Sequence, residues 1–220
     1  MSHPTIQHNF AAFFENWLFQ RHCYLQRLLE NSILIDKEAN TSLVDQILCH
    51  YKKYYDERAK LANEDISLFF SSTWCYWVAG FRGSWVFRIV WDTVGQLSVE
   101  QLWRMERVKA ETQRGEIDID NASASIQYNR DVILGLLSRV KRLADGEDQS
   151  ARDTLTDGEV QSEEEILMDT IVYKMKNLKE MMVQLVANTD AVREWTVREV
   201  VGILSPTQRV RFLTAFVQFY

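Results

Sequence analysis

Apolar residues recur along most of this chain at intervals of three and four, the spacing that places them on one face of an α-helix. In the stretch 85–94, Phe87, Val90, Trp91 and Val94 follow the i, i+3, i+4, i+7 pattern of a buried face. The pattern predicts helices over about 10–30, 42–63, 85–94, 98–108, 121–140, 163–201 and 206–220, a shorter apolar stretch over 66–79, and an interruption near 188.

Residues that begin and end helices support these boundaries. Gly95 is placed to end the helix over 85–94. Ser98 with Gln101, and Ser205 with Gln208, have the spacing of a capping box, in which each side chain bonds the other residue's backbone N–H.

Glycine and proline are scarce, with 8 and 2 residues, and no proline falls between Pro4 and Pro206. Because tight β-turns need these residues, their scarcity favours long helices over hairpins. Pro206 suits the first position of the last helix. The sequence therefore predicts an all-α fold, a single-domain bundle of about seven to nine helices over residues 8–220, after a flexible N-terminal segment over 1–7.

The charge is concentrated in one segment. The net charge is −6, yet residues 145–165 carry nine acids and one base. We expect this segment to be a solvated acidic loop, with an acidic docking strip for a basic partner as the alternative. The negative balance disfavours non-specific binding to nucleic acid.

Other features of the sequence indicate the cellular compartment. No apolar run reaches the ~20 residues that a membrane helix needs, and the N-terminus lacks the form of a signal peptide. The three cysteines are widely spaced and odd in number, which favours free thiols in a reducing compartment. We expect the nucleus or the cytoplasm, and no membrane.

No strong catalytic motif is present, because the chain lacks a phosphate-binding glycine loop, a nucleophile elbow and a His-Glu-x-x-His helix. We therefore expect no enzyme activity. The best metal or haem candidate is the pair His22 and His50, each next to a cysteine on neighbouring predicted helices. Two histidines fall short of a structural zinc site, so the alternative is two ordinary boundary histidines.

Five of the seven tryptophans lie within residues 72–105. We expect most of this cluster to be core, including Trp91 and a stripe of Trp74, Trp77 and Phe81. Tryptophan and arginine dominate interface hot spots. The expected edge of a partner-binding surface is Phe81, Arg82, Trp85 and Arg88. The methionines near residues 168–182 fit either an adaptable binding groove or gap-filling in a core.

Three stretches then carry a resemblance. They are "YYDERAKLANEDISLFFSSTW", "WVAGFRGSWVFRIV" and "TDAVREWTVREVVGILSPTQRVRFLTAFVQFY", with "GFRxS" and "GILSPTQ" as the most specific parts. Together they resemble the plant Delay of Germination family over roughly residues 8–220. A related domain forms the C-terminal part of the TGA-type bZIP transcription factors.

The resemblance implies an all-α regulator of seed dormancy, germination or development that acts through protein partners and in the regulation of transcription. The implied partners are a type 2C protein phosphatase of abscisic-acid signalling or a bZIP transcription factor. Some members of the family bind haem, and TGA relatives hold a fatty-acyl ligand. The alternative function is therefore a small-ligand-binding helical protein.

Three departures from the family limit what the resemblance implies. The domain begins almost at Met1 without a basic region, so direct DNA contact is not expected. The segment between Trp74 and Trp77 is about two helical turns shorter than in relatives, which puts partner binding there in doubt. Tyr220 stands where haem-binding relatives have the first of two histidines, so haem would need His22 or His50 instead.

Overall fold

The computed structural model of the chain describes residues 3–31, 37–70, 80–145 and 157–219, and all their regular structure is helical. The helices in chain order are α1 (His3–Asn31), α2 (Lys37–Glu64), α3 (Ser67–Phe70), α4 (Trp85–Thr93), α5 (Val99–Ala144), α6 (Asp157–Ile203) and α7 (Pro206–Phe219). The all-α prediction is confirmed. Within the described ranges, six helices are longer than the single turn of α3, so seven to nine was slightly too many.

Two predicted breaks are absent. A new helix was expected at Asp120 or Asn121, but α5 runs through both residues. The stretch "ANTD" near residue 188 was expected to interrupt a helix, but α6 continues through it. Both stretches are rich in residues that favour caps, and tertiary packing overrides such local preferences.

Three of the predicted helix boundaries are confirmed. Gly95 has φ of 80°, the left-handed conformation that ends α4. Ser98 and Gln101 form the full capping box, with bonds of 3.0 and 3.1 Å. The backbone N–H of Ser205 donates to Oε1 of Gln208 at 2.9 Å, and α7 begins at Pro206.

The chain divides into two compact units. Unit 1 contains residues 1–119 and 186–220, and unit 2 contains residues 120–185. The core of unit 1 is built where α7 packs against α1, α2 and α4. There the ring of Phe216 lies 5.1 Å from that of Tyr51 and 5.8 Å from that of Phe81.

Candidate functional site

The turn over residues 80–84, sequence GFRGS, is held by Arg193 of α6. The Nε of Arg193 donates to the carbonyl oxygen of Phe81 at 2.7 Å, and its guanidinium lies 5.5 Å from the centre of the Phe81 ring. A Cβ on Gly80 would lie 2.6 Å from Nη2 of Arg193, too close for any side chain without movement. The first glycine of the motif therefore makes room for a buried arginine.

Arg193 belongs to a buried group of charges. Its Nη1 lies 2.6 Å from Asp190, and Nε of Arg58 from α2 lies 3.0 Å from the same carboxylate. All three residues are buried. Burial raises the pKa of Asp190, while the two guanidinium groups act to lower it. The cluster ties α2, α6 and the GFRGS turn together through one carboxylate.

The other end of the GFRGS turn contacts α5. The backbone N–H of Ser84 donates to Oε1 of Glu116 at 2.8 Å, and Nη1 of Arg82 lies 3.9 Å from Oε2 of the same residue. A Cβ on Gly83 would lie 3.1 Å from Cγ2 of Thr112. Because Ser84 directly precedes α4, these contacts fix the start of that helix.

An open cavity of about 440 Å³ lies beside α4, lined by Trp85, Arg88, Ile89, Asp92 and Phe219. The rings of Trp85 and Phe219 meet edge to face, with centres 5.8 Å apart. Trp85 and Phe219 stay 51% and 56% exposed. Nε of Arg88 lies 3.7 Å from Asp92 one turn away, and the Arg88 side chain is 86% exposed. The cavity thus combines an aromatic wall with an accessible guanidinium.

The structure brings together two of the four residues predicted to bind a partner. Trp85 and Arg88 line the same cavity. Phe81 is 6% exposed and belongs to the core. Arg82 points to Glu116 and is not among the residues that line the cavity. That these residues contact a partner stays a prediction.

Sequence reasoning missed Ile89, Asp92 and Phe219 as cavity residues. Ile89 and Asp92 lie one turn beyond Trp85 and Arg88 on the same face of α4, so helical spacing could have found them. Phe219 comes from α7, and its position depends on how α7 packs against α4. No local sequence signal indicates that contact.

The tryptophan cluster is less buried than expected. Trp91 was predicted to be core, but it is 44% exposed, so that prediction is wrong. Trp91 lies about 100° around α4 from Val90, which is fully buried. The part of α4 that packs against the core is too narrow to include both side chains. Trp103 is 76% exposed. Trp74 and Trp77 lie outside the described residues, as do residues 146–156 of the predicted acidic loop. Residues 157–165, predicted as part of that loop, are helical and begin α6.

His50 is buried in an aromatic cage. The Trp17 ring stacks on its imidazole with centres 4.8 Å apart, and the Tyr24 ring lies at 5.1 Å. Nε1 of Trp17 donates to the His50 carbonyl oxygen at 3.1 Å. Among the described residues, nothing bonds Nε2 of His50. Burial is the main cause that lowers the pKa of this histidine to about 4.

This environment does not fit an axial haem ligand, because aromatic rings cover the imidazole and the residue is only 4% exposed. His22 is exposed, and its Nε2 lies 3.3 Å from the amide nitrogen of Gln26. The described residues contain no group of three or more His, Cys, Asp or Glu side chains that could hold a metal ion. None of the described helices is long and apolar enough to span a membrane.

Comparison with known proteins gives related sequences along nearly the whole chain. Residues 23–91 match the family described as seed dormancy control. The chain is 29% identical over 228 residues to Protein ZW2 of Arabidopsis thaliana, covering 96% of this chain and 92% of the relative.

Two further proteins of that plant are also similar. Protein RESPONSE TO ABA AND SALT 1 is 28% identical over 239 residues, covering 100% of this chain and 95% of its own. Protein DOG1-like 4 is 25% identical over 228 residues, covering 97% and 90%. These matches confirm the resemblance to the Delay of Germination family.

Proposed function

We propose that this chain, a plant protein of the Delay of Germination family by its sequence matches, is a non-enzymatic regulator that acts by binding other proteins. The observation that supports this function best is the cavity beside α4, where Trp85, Arg88 and Phe219 are accessible together. Aromatic residues and arginine supply much of the binding energy at protein interfaces. The site can bind an apolar side chain of a partner and pair with a neighbouring carboxylate.

The process regulated is proposed to be seed dormancy, germination or development linked to abscisic acid. The support is the family match and the relative whose name refers to ABA and salt. The proposed partner is a type 2C protein phosphatase. The alternative partner is a bZIP transcription factor, through which the protein would regulate transcription without contacting DNA. We propose the nucleus or the cytoplasm as its location, which imaging of a fluorescent fusion tests.

The experiment compares two tryptophans of the same helix. The tagged chain and its Trp85→Ala and Trp91→Ala variants are used to capture purified type 2C phosphatases and bZIP factors, with the Kd measured by calorimetry. Trp85 lines the cavity and Trp91 does not, while both are about half exposed. We expect Trp85→Ala to weaken binding at least about tenfold, the size of a hot-spot loss, and Trp91→Ala to leave it unchanged.

Circular dichroism of both variants checks that the helices remain. If Trp85→Ala and Trp91→Ala bind equally well, the cavity does not bind the partner. If no phosphatase or bZIP factor binds the wild-type chain, the proposed partners are wrong.

The same cavity favours a second candidate function, the binding of a small ligand. Its lining by Trp85, Ile89 and Phe219 suits an acyl chain, and Arg88 can pair with a carboxylate. Mass spectrometry of the chain purified from plant cells tests this. Co-purification of a fatty acid, lost in Ile89→Asp, would support the ligand-binding function. A lipid-free preparation would exclude it.

A further inference from the structure

A groove between α4 and α7 extends the cavity beside α4. The ring of Trp85, at the start of α4, meets that of Phe219, at the end of α7. Just beyond the other end of α4, the carbonyl oxygen of Gln96 accepts a hydrogen bond of 3.1 Å from Gln208, in the first turn of α7. The two helices are therefore antiparallel, and the groove between them follows α4 for about 15 Å, or three helical turns.

One face of each helix forms a wall of this groove. The cavity residues of α4 lie at positions 85, 88, 89 and 92, a spacing that places them on one face. On α7, residues four positions apart share the face that includes the cavity, and in order they are Arg211, Ala215 and Phe219. Ala215 is partly buried and has only a methyl group. The groove thus has aromatic rings at one end and a small residue in its middle.

Two arginines lie along the groove. A Cβ on Gly95 would lie 4.0 Å from Nη1 of Arg211, so this side chain reaches from α7 to the end of α4. Arg211 is exposed, and among the described residues it has no ion-pair partner. Arg88 is 86% exposed and lies 3.7 Å from Asp92, which is itself 66% exposed. Because such exposed pairs contribute little to stability, both guanidinium groups are accessible to a partner, and one carboxylate accompanies them.

The walls of the groove favour a helical partner over an extended one. Between the ends of α4 and α7, backbone N–H and C=O groups are bonded within each helix. An extended peptide would find no free backbone groups along these described walls. A helix satisfies its own backbone and presents only side chains to the groove.

The length and the charge of the groove identify the occupant. Three turns of helix fit its length, an apolar side chain fits its aromatic end, and carboxylates complement its guanidinium groups. We propose that the partner inserts an acidic amphipathic helix between α4 and α7, an inference that rests on the proposed function. The apolar anchor of that helix packs on Trp85 and Phe219. One carboxylate, a turn from the anchor, meets Arg88, and a second, about three turns from it, meets Arg211.

Selection from a peptide display library tests the occupant, with the full chain as bait. The probes are random peptides of about 16 residues, long enough for three turns and their flanks. We expect the enriched peptides to be acidic, to contain an aromatic or leucine anchor, and to gain helicity on binding, as measured by circular dichroism. Enrichment of basic peptides, or of peptides that bind without gaining helicity, would overturn the proposal. A groove that takes only a fatty acid would enrich no peptide, which would also overturn it.

A pair of arginine variants tests the far end of the groove. Arg211→Glu reverses the charge beside the end of α4, and Arg114→Glu makes the same change at an exposed residue of α5, which forms neither wall. We expect the Kd of the best peptide, measured by calorimetry, to rise about tenfold in Arg211→Glu and to stay unchanged in Arg114→Glu. Changing the far carboxylate of the peptide to lysine should restore binding to Arg211→Glu, because the two charges are then exchanged. Equal binding by the two variants, or no recovery with the lysine peptide, would contradict the proposed helix.

Failure of this inference is distinguishable from failure of the proposed function. If phosphatases or bZIP factors lose affinity in Trp85→Ala but not in Arg211→Glu, the cavity binds its partner and the proposed helix is wrong. If acidic helical peptides bind as expected but no phosphatase or bZIP factor does, the proposed helix is supported and the named partners are wrong.

Discussion

The side-chain amides of Gln101 and Gln208 meet at 2.8 Å although 107 positions separate them in the chain. Each glutamine is the capping residue of its own helix, α5 or α7. Gln101 also donates to the carbonyl oxygen of Ile203 at 3.0 Å, and Gln208 donates to that of Gln96 at 3.1 Å. The N-terminal ends of α5 and α7 are therefore held together by hydrogen bonds of their capping residues.

We expect Gln101 and Gln208 to be energetically coupled. In a double-mutant cycle with alanine, the two substitutions together should cost about 1 kcal/mol less than the sum of the single changes, since one shared hydrogen bond is lost only once. Urea unfolding of the four proteins measures this coupling. The exposed pair Arg27 and Gln46, whose contact is 2.9 Å, is the control and should show a coupling near zero. Additive losses at Gln101 and Gln208 would contradict the prediction.

Removal of Asp190 should destabilise the protein severely. Asp190→Ala leaves the buried guanidinium groups of Arg58 and Arg193 without their shared carboxylate, and breaking a buried ion pair costs about 3–5 kcal/mol. Thermal and urea unfolding measure the loss. Asp56→Ala removes the carboxylate of the exposed pair with Lys52 and should change stability by about 0.5 kcal/mol or less. If both variants lose similar amounts of unfolding free energy, the buried cluster contributes no more to stability than the exposed pair.

The two glycines of α5 should respond in opposite ways to alanine. A Cβ on Gly135 meets nothing within 4 Å, so Gly135→Ala should stabilise the helix by up to about 1 kcal/mol. A Cβ on Gly115 would lie 2.9 Å from Cγ2 of Val192, a stiff β-branched side chain, so Gly115→Ala should destabilise by about 1–3 kcal/mol. The urea midpoints of the two variants should therefore lie on opposite sides of wild type.

Acid should weaken the fold through His50. Burial lowers its pKa to about 4 in the folded chain from the usual value of 6.5. Because the unfolded chain then binds more protons between these values, stability falls as the pH is lowered from 6.5 to 4. At pH 5 the loss is about 2 kcal/mol. His50→Phe keeps an aromatic ring but cannot titrate, so it should lose less stability than wild type between pH 7.5 and 5. Equal losses, measured by urea unfolding, would contradict this assignment.

Local signals in the sequence were sufficient for the helical class and for the ends of several helices. Gly95, the capping box of Ser98 and the start of α7 at Pro206 act within a few residues, so their roles can be predicted from the sequence. The same local signals failed at Asp120 and Asn188, because residues that favour helix ends also occur inside long helices that packing stabilises.

The buried charges and the cavity depend on contacts between distant parts of the chain. Charged residues are rarely fully buried, so nothing in the sequence near Arg58 or Arg193 indicates that both pair with Asp190. Trp85 and Arg88 were predicted as a binding edge from residue type and position, whereas Phe219 joins them through the packing of α7. Trp91 was misassigned because helical spacing shows which face of a helix is apolar, but not how much of that face is packed against neighbouring helices.

The discontinuity of unit 1 has a consequence for synthesis on the ribosome. Residues 1–119 are translated first, but Arg193 and Phe216, which contact Phe81 in this unit, come only after the whole of unit 2. A nascent chain must therefore hold Trp17, Tyr51 and Phe81 without α7 until unit 2 and α7 have been synthesised. In this state apolar surface is exposed, which favours aggregation and binding by chaperones. A transcript with a premature stop before Val186 would encode a chain without α7, and the core of unit 1 would then be incomplete.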